Sequence, residues 1–288
     1  MIIWLASYPK SGNTWIRSLL TSYFYSNDGV FNFNLLNKIE QFSSKNVPIL
    51  LNDKSSYQTK ISKNWIPAQK IINDDKKVHL LKTHNAICAI NGNNFTDKFN
   101  TIGAIYIVRD PRNLVTSLAN HYEFNLEESF NFISNKRKII FLKNDNLKSQ
   151  NKDEPEDFNF LGDWASHYKS WKNINFCEVK IVKYEDFLKN PRENFISILN
   201  FLLKFMKFDI DQKKILNALE STKFSNLSKM EEENDFDEAV ISSKTKKKIK
   251  FFNLGEKNDF NKILPKYIKA KLDIEFEKEL KKFKYKND

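Results

Sequence analysis

The stretch Tyr8-Pro9-Lys10-Ser11-Gly12-Asn13-Thr14-Trp15 constrains this chain more than any other, because of what stands on either side of it. Ahead of it, Ile2-Ile3-Trp4-Leu5-Ala6 is a continuous apolar run, the pattern of a parallel strand buried on both faces. Behind it, Trp15, Ile16, Leu19, Leu20, Tyr23 and Phe24 recur at helical spacing. A strand that turns tightly into a helix N-terminus brings several groups to one point: unpaired amide N–H groups, the positive end of the helix dipole, Lys10, and the hydroxyls of Ser11 and Thr14. Such a point suits a phosphate or a sulfate. The plainer arrangement of the same residues leaves Lys10 in solvent and uses Ser11 and Thr14 only to cap the helix. The nucleotide-triphosphate loop is excluded: Gly-x-x-x-x-Gly-Lys-Ser/Thr places its Lys after a glycine, whereas Lys10 stands two residues before Gly12.

A chain of 288 residues accommodates one large α/β domain or two small ones and can bury an ample core. With 41% hydrophobic and 14% aromatic residues it is not generally disordered. The net charge of +11 and the pI near 9.3 favour an anionic partner: a nucleotide, a membrane surface or a nucleic acid. The excess is mostly Lys interspersed with Glu and Asp, which describes a solvated surface, and no nucleic-acid face is expected. Cys88 and Cys177 lie far apart in unlike settings, so neither a disulfide framework nor a metal-ligand spacing is present, and a reducing, cytoplasmic compartment is expected. The first residues form a core strand rather than a cleavable leader, and no apolar run approaches membrane-spanning length; neither export by that route nor a helical anchor is expected.

Further along, residues 26–77 show no sustained period apart from a short helix ending around 68–72, which fits a substrate-facing wall or an ordinary surface excursion. Val78-His79-Leu80-Leu81-Lys82-Thr83 reads as a second strand, and Lys82-Thr83-His84 stands at its carboxyl end, the end that faces the ligand crevice in open α/β sheets. A neutral imidazole at His84 could accept a proton near pH 7. His79, His121 and His167 have no comparable setting and read as structural or surface residues. Ala104-Ile105-Tyr106-Ile107-Val108 is a third strand running into Arg109-Asp110-Pro111-Arg112, with Pro111 placed for the first turn of a helix that turns Leu114, Val115, Leu118 and Ala119 inward. Arg109 and Ser117, about two helical turns apart, could grip one anion; alternatively Arg109 and Asp110 form a surface pair. A helix is predicted over 126–142, a mobile polar loop over 143–156 that is either a lid or a surface excursion, and a second helix with an aromatic core stripe over 160–171. Residues 179–184 read as a fourth strand, Asn190-Pro191 as a helix start, and 195–205 and 210–219 as helices. A terminal helix carries Ile268, Leu272, Phe276, Leu280 and Phe283.

In this order the segments resemble those of the sulfotransferases that use 3'-phosphoadenosine 5'-phosphosulfate (PAPS). The run from Tyr8 to Trp15 is similar to their 5'-phosphosulfate loop, which implies donor contacts at Lys10, Ser11, Gly12, Asn13, Thr14 and Trp15, the last as an adenine-stacking partner. Lys82-Thr83-His84 resembles their Lys-Thr-His segment, which implies that His84 is the general base and that Lys82 contacts the sulfuryl group. Arg109-Asp110-Pro111-Arg112-Asn113-Leu114-Val115-Thr116-Ser117 looks like their 3'-phosphate segment, with Arg109 and Ser117 in the binding positions; an Arg fork is a natural grip for a phosphate monoester. Tyr184-Glu185-Asp186 resembles a segment whose Tyr touches the adenine, and Ser221-Thr222-Lys223-Phe224-Ser225-Asn226-Leu227 one whose Thr and Phe embrace it. The run from Phe251 to Phe260 lines up with Arg-Lys-Gly-x-x-Gly-Asp-Trp, but Asn253, Leu254 and Phe260 stand where the family has Arg, Lys and Trp, while Gly255 and Asp259 remain. Loss of that Arg predicts looser donor binding or a substitute, Lys250 or Lys257.

The resemblance covers the chain from residue 2 to about 285. It implies a single α/β domain, 1–288, with a central parallel sheet of about four or five strands flanked by helices, akin to the P-loop nucleotide kinases. It further implies PAPS as donor, adenosine 3',5'-bisphosphate (PAP) as product and no metal. The acceptor would be a hydroxyl or amine of a small molecule, carbohydrate or lipid, held by insertions at roughly 26–77 and 123–160. Phe31, Phe33, Trp65, Tyr122 and Phe124 in those insertions suit an apolar alcohol, an amine, a sugar or a lipid head equally. Two rivals compete with this expectation. A small-molecule kinase would need the triphosphate loop and a carboxylate for magnesium where the third strand instead ends in Arg109. A non-catalytic nucleotide or polyanion binder would leave Lys82-Thr83-His84 without a purpose.

Overall fold

The first apolar run becomes a central strand because both of its faces are covered. In the computed structural model, which describes residues 1–42, 61–141, 158–234, 236, 238–242 and 244–285, Ile2–Ser7 (β1) is buried along its whole length. Side chains of a strand point alternately to opposite faces. Accordingly Ile2, Trp4 and Ala6 belong to one apolar cluster, and Ile3 and Leu5 to another. β1 pairs in parallel with His79–Thr83 (β2) on one side and with Thr101–Val108 (β3) on the other, and β3 pairs in parallel with Glu178–Lys183 (β4). The sheet therefore has four strands in the order β2-β1-β3-β4. Since all four run the same way, the residues that follow them emerge along one edge: the turn from Tyr8 to Gly12, His84, Arg109 and Tyr184. Segments spread from residue 8 to residue 184 become neighbours by topology alone.

Helices cover both faces. On the side of Ile3 and Leu5 lie Asn13–Tyr25 (α1), Pro191–Leu202 and Gln212–Ser221, contributing Ile16, Leu19, Phe195, Ile198 and Ile215. On the side of Trp4 lie Ile61–Asn73, Pro111–Tyr122 (α2), Leu126–Ser134 and Trp164–Lys172, with Trp65, Leu118, Phe132 and Trp171 in the core. The two last helices, Lys266–Glu275 and Glu277–Phe283, close the same side through Ile268, Leu272, Phe276, Leu280 and Phe283, all buried. A third, smaller cluster gathers Phe31, Leu36, Leu227, Phe236 and Phe252, with Trp15 and Phe224 packed against it.

Several sequence expectations are corrected. The helix expected over 126–142 ends at Ser134, and Ile139–Phe141 is instead a strand paired antiparallel with Phe158–Phe160. Two consecutive Ile and a Phe fit a pleated ribbon better than a helix end, and the chain has turned at 135–138. The following helix begins at Trp164, not at 160, because Gly162 adopts a left-handed φ of 64° and the Asp163 side chain caps by accepting from the Ser166 amide. The terminal helix is two helices that meet at Phe276. The loop expected at 143–156 lies outside the described residues, as does the middle of the 26–77 insertion. Among the described residues no helix is long and apolar enough to cross a membrane. Cys88 and Cys177 are not disulfide-bonded.

Candidate active site

The turn at the end of β1 gathers buried polar side chains at the start of α1. Lys10 takes a left-handed φ of 66°, and the Ser11 amide bonds back to the Tyr8 carbonyl at 3.3 Å. α1 then starts at Asn13 with Gly12 as its N-cap, at φ 98° and with no side-chain cap. Thr14 and Ser11 therefore do not serve as helix caps. A Cβ at position 12 would come within 2.4 Å of the Tyr184 ring, so the close approach of Tyr184 to the turn requires glycine there. The Asn13 amide braces the turn, donating to the Leu5 carbonyl at 3.0 Å and to Ser7 Oγ at 3.2 Å. Lys10 Nζ, Ser11 Oγ, Asn13 Oδ1 and Arg109 Nε are buried and find no hydrogen-bond partner among the described residues. Buried polar atoms are ordinarily paired, and a cluster of orphans around one helix N-terminus fits an anionic ligand. Lys10 Nζ rests 3.4 Å from the centre of the Phe251 ring, and burial lowers its pKa to about 7 against the opposing pull of Glu238.

The other strand ends complete the site. At the end of β2, Lys82 is buried and ion-paired, and His84 Nδ1 lies 2.8 Å from the Ser7 carbonyl. An N–H must be the donor to a carbonyl, so Nδ1 carries the hydrogen and Nε2 keeps the lone pair. Burial first and the Lys82 charge second bring the His84 pKa down to about 3, and the ring is neutral throughout the physiological range. His167 supports it: its Nε2 lies 3.0 Å from the His84 carbonyl, and its Nδ1 lies 2.8 Å from the Tyr106 hydroxyl. At the end of β3, Arg109 is 7% exposed, donates to the Lys10 carbonyl at 3.0 Å and lies 4.4 Å from the centre of the Tyr184 ring. It does not pair with Asp110, whose carboxylate instead binds Arg112 at 2.8 Å and caps α2. Trp15 lies edge-on to Tyr184 at 5.8 Å and to Phe187 at 5.0 Å.

All of these segments open on one cavity of about 1460 Å³. Of the residues singled out in the sequence, Lys10, Gly12, Asn13, Thr14, Trp15, Lys82, His84, Arg109, Ser117, Tyr184, Thr222, Phe224, Asn253, Leu254 and Gly255 line it, and Ser11 lies behind the wall. Gly255, at φ 54°, lets Phe224 approach: a Cβ there would meet the ring at 2.7 Å. Asn253 is exposed at the cavity wall. Of the two proposed substitutes for the missing Arg, Lys257 also lines the cavity, whereas Lys250 is ion-paired with Glu232 at 2.6 Å.

The acceptor-side expectations fare less well. Tyr122 lines the cavity, but Trp65 is fully buried against Phe95 and Phe158. Phe31 and Phe33 meet edge to face in the third cluster, and Phe124 packs on Tyr122 and Phe132. Three cavity or near-cavity residues carried no expected role at the site: Arg17 and Glu238 were not singled out, and His121 was expected to be structural or on the surface. His121 lines the cavity edge-on to Phe251 at 5.8 Å, with its pKa brought down to about 3 by burial and then by Lys10. Glu238 also lines it, and Arg17, one turn beyond Thr14, binds Glu238 at 2.7 Å. Arg17, the only charged residue of α1 and one turn beyond Thr14, was a usable signal. Glu238 gave none, for its partner Arg17 is 221 residues away.

A four-stranded parallel sheet flanked by helices, with orphaned polar groups at the first strand-to-helix turn, defines an α/β protein of P-loop-like architecture. A family model, the sulfotransferase domain, matches residues 2–284, and the chain belongs to that family. Among solved structures, the crystal structure of mouse sulfotransferase SULT7A1 complexed with PAP has the same fold. That match has a TM-score of 0.58 at 19% identity and covers 97% of this chain and 84% of that one. No curated protein matches the chain.

Proposed function

We propose that this sulfotransferase moves the sulfuryl group of PAPS to a hydroxyl or amine of a small-molecule, carbohydrate or lipid acceptor, with PAP as the other product. The observation that carries the reading is the convergence of Lys10, Lys82, His84 and Arg109, from three strand ends, on one cavity. Its volume exceeds the roughly 300–1,000 Å³ typical of a single small-molecule site, as two substrates side by side require. The donor supplies a sulfuryl group on a phosphosulfate anhydride, and transfer forms one bond from sulfur to the acceptor while breaking the bond from sulfur to the bridging oxygen.

Each residue then has a defined task. His84 accepts the acceptor's proton at Nε2, with Nδ1 tethered to the Ser7 carbonyl to fix the tautomer. Lys10 and the amides at the start of α1 neutralise the charge that collects on the leaving 5'-phosphate, and Lys82 orients the sulfuryl oxygens. Arg109 and Ser117 hold the 3'-phosphate and so select this donor over ordinary adenine nucleotides, with Lys257 positioned to compensate for Asn253. Trp15, Tyr184, Thr222 and Phe224 surround the adenine. Phe141 and Ile241, each 63% exposed, border the cavity with Ile140 and Val240 and favour an acceptor with an apolar body. Unbridged Cys88 and Cys177 fit a cytoplasmic setting.

The test is His84→Ala, assayed for sulfuryl transfer from PAPS across a panel of phenols, alcohols and amines. Loss of about 10²- to 10⁴-fold in kcat with PAP affinity unchanged is expected. Transfer at the wild-type rate would remove His84 from the role of base.

A further inference from the structure

Glu238 sits between Phe224–Glu233 and the short strand Val240–Ile241, and its carboxylate reaches into the anion cradle. Oε1 lies 2.7 Å from Arg17 Nη1 and 2.5 Å from Lys82 Nζ, and Oε2 accepts from Thr14 Oγ1 at 2.6 Å. The three donors come from two elements, the first turns of α1 and the end of β2, and they converge on one small anion. Arg17 is held in place from behind by the Leu36 carbonyl, at 2.5 Å from Nη2. Burial works against charge on Glu238, but Lys82 and Arg17 overcome it and hold the carboxyl well below the usual range. Lys10, His84 and His121 also feel its charge.

We propose that Thr14, Arg17 and Lys82 form the subsite for the sulfuryl oxygens, and that Glu238 occupies it as an internal stand-in anion which the donor must displace. This rests on the donor assigned under Proposed function and adds Arg17 and Glu238 to it. The carboxylate and a sulfuryl group both offer closely spaced anionic oxygens, and the same three donors serve either. They cannot serve both: two anions on the same donors would stand in contact, and the repulsion is large where water is excluded. Arg17, Lys82 and Lys10 offer up to three positive charges, so one carboxylate leaves the cradle only partly neutralised. The orphaned Lys10 Nζ beside it is the second sign that the resident anion is smaller than the intended one. Residence of Glu238 keeps Lys82 and Arg17 paired while the donor is away, avoiding unpaired buried cations. The donor pays for that through a weaker apparent affinity.

The comparison that decides it is calorimetric binding of PAPS and of PAP to wild type, Glu238→Gln and Arg17→Ala, with thermal unfolding of each. PAP lacks the sulfuryl group and serves as the internal control. Glu238→Gln is expected to melt lower without ligand, yet to bind PAPS about tenfold tighter or more and PAP less than about threefold tighter. Arg17→Ala should weaken PAPS more than PAP. Should Arg17→Ala fail to fold, Arg17→Lys, which keeps the charge and loses the fork, should show the same direction to a smaller degree. If Glu238→Gln binds PAPS no more tightly than wild type, or gains equally for PAPS and PAP, Glu238 is a fixed wall and the proposal is wrong. If wild type binds neither PAP nor PAPS, the donor assignment itself fails, and this inference falls with it.

Discussion

At the scale of single residues, the site is governed by how burial and charge set protonation. Lys10 is the clearest case. Its pKa, brought down to about 7 by burial, leaves it partly deprotonated near neutral pH in the donor-free protein. A bound phosphate beside it favours the charged form and raises that pKa. Below pH 7 the proton is already in place and binding costs nothing extra. Above pH 7 a proton must be taken up on binding, and affinity falls with rising pH by at most about tenfold per unit. Titrations with PAP from pH 7 to 9, where the ligand's phosphates are fully charged, are therefore expected to show weakening affinity and proton uptake. Constant affinity across that range would place Lys10 outside the phosphate subsite. The neutral His84 adds no acid limb near pH 6.5 to either binding or transfer.

At the scale of elements, segments differ in how much local signal they carry. β1, the turn and α1 were legible because apolar continuity, a glycine and helical spacing are properties of neighbouring residues. The ends of β2 and β3 were legible for the same reason, and parallel pairing then brought Lys82, His84 and Arg109 together. The ribbon Ile139–Phe141 was misread because three apolar residues after a helix fit either period until a partner strand is known. Glu238 carried no local signal, and His121 read as structural or surface rather than as cavity-lining, since their surroundings are assembled from Thr14, Arg17, Lys82 and Phe251 by tertiary structure. Trp65 was legible as an aromatic in an insertion but not as a core residue. The segment from Phe251 to Phe260 is the one that departs most from the motif it resembles. Asn253→Arg is expected to tighten PAP binding about fivefold, and Lys257→Ala to weaken it by a similar factor, the scale of one partly exposed charge-assisted contact. Titration at fixed ionic strength checks both; if neither variant moves PAP affinity, that wall does not touch the 3'-phosphate.

At the scale of the whole molecule, one sheet with both faces covered holds four strand ends in a fixed relation, so that the residues proposed for binding and for chemistry share a single crevice. Rigid pairing of β2-β1-β3-β4 holds the turn at Lys10, the Lys82–His84 strand end and Arg109 in one fixed arrangement. The third cluster, with Phe236 and Phe252 at its centre, ties the Glu238 segment to the same crevice. This crevice is proposed to select a nucleotide by its 3'-phosphate and its 5'-anion together. Calorimetric titration of the purified protein with PAP, AMP and ATP in the absence of magnesium tests it most directly, with Arg109→Ala alongside. The account predicts that PAP binds more tightly than either comparison nucleotide, and that Arg109→Ala removes most of that preference while leaving AMP nearly unchanged. Preference for ATP, or an equal loss for PAP and AMP in the variant, would contradict it.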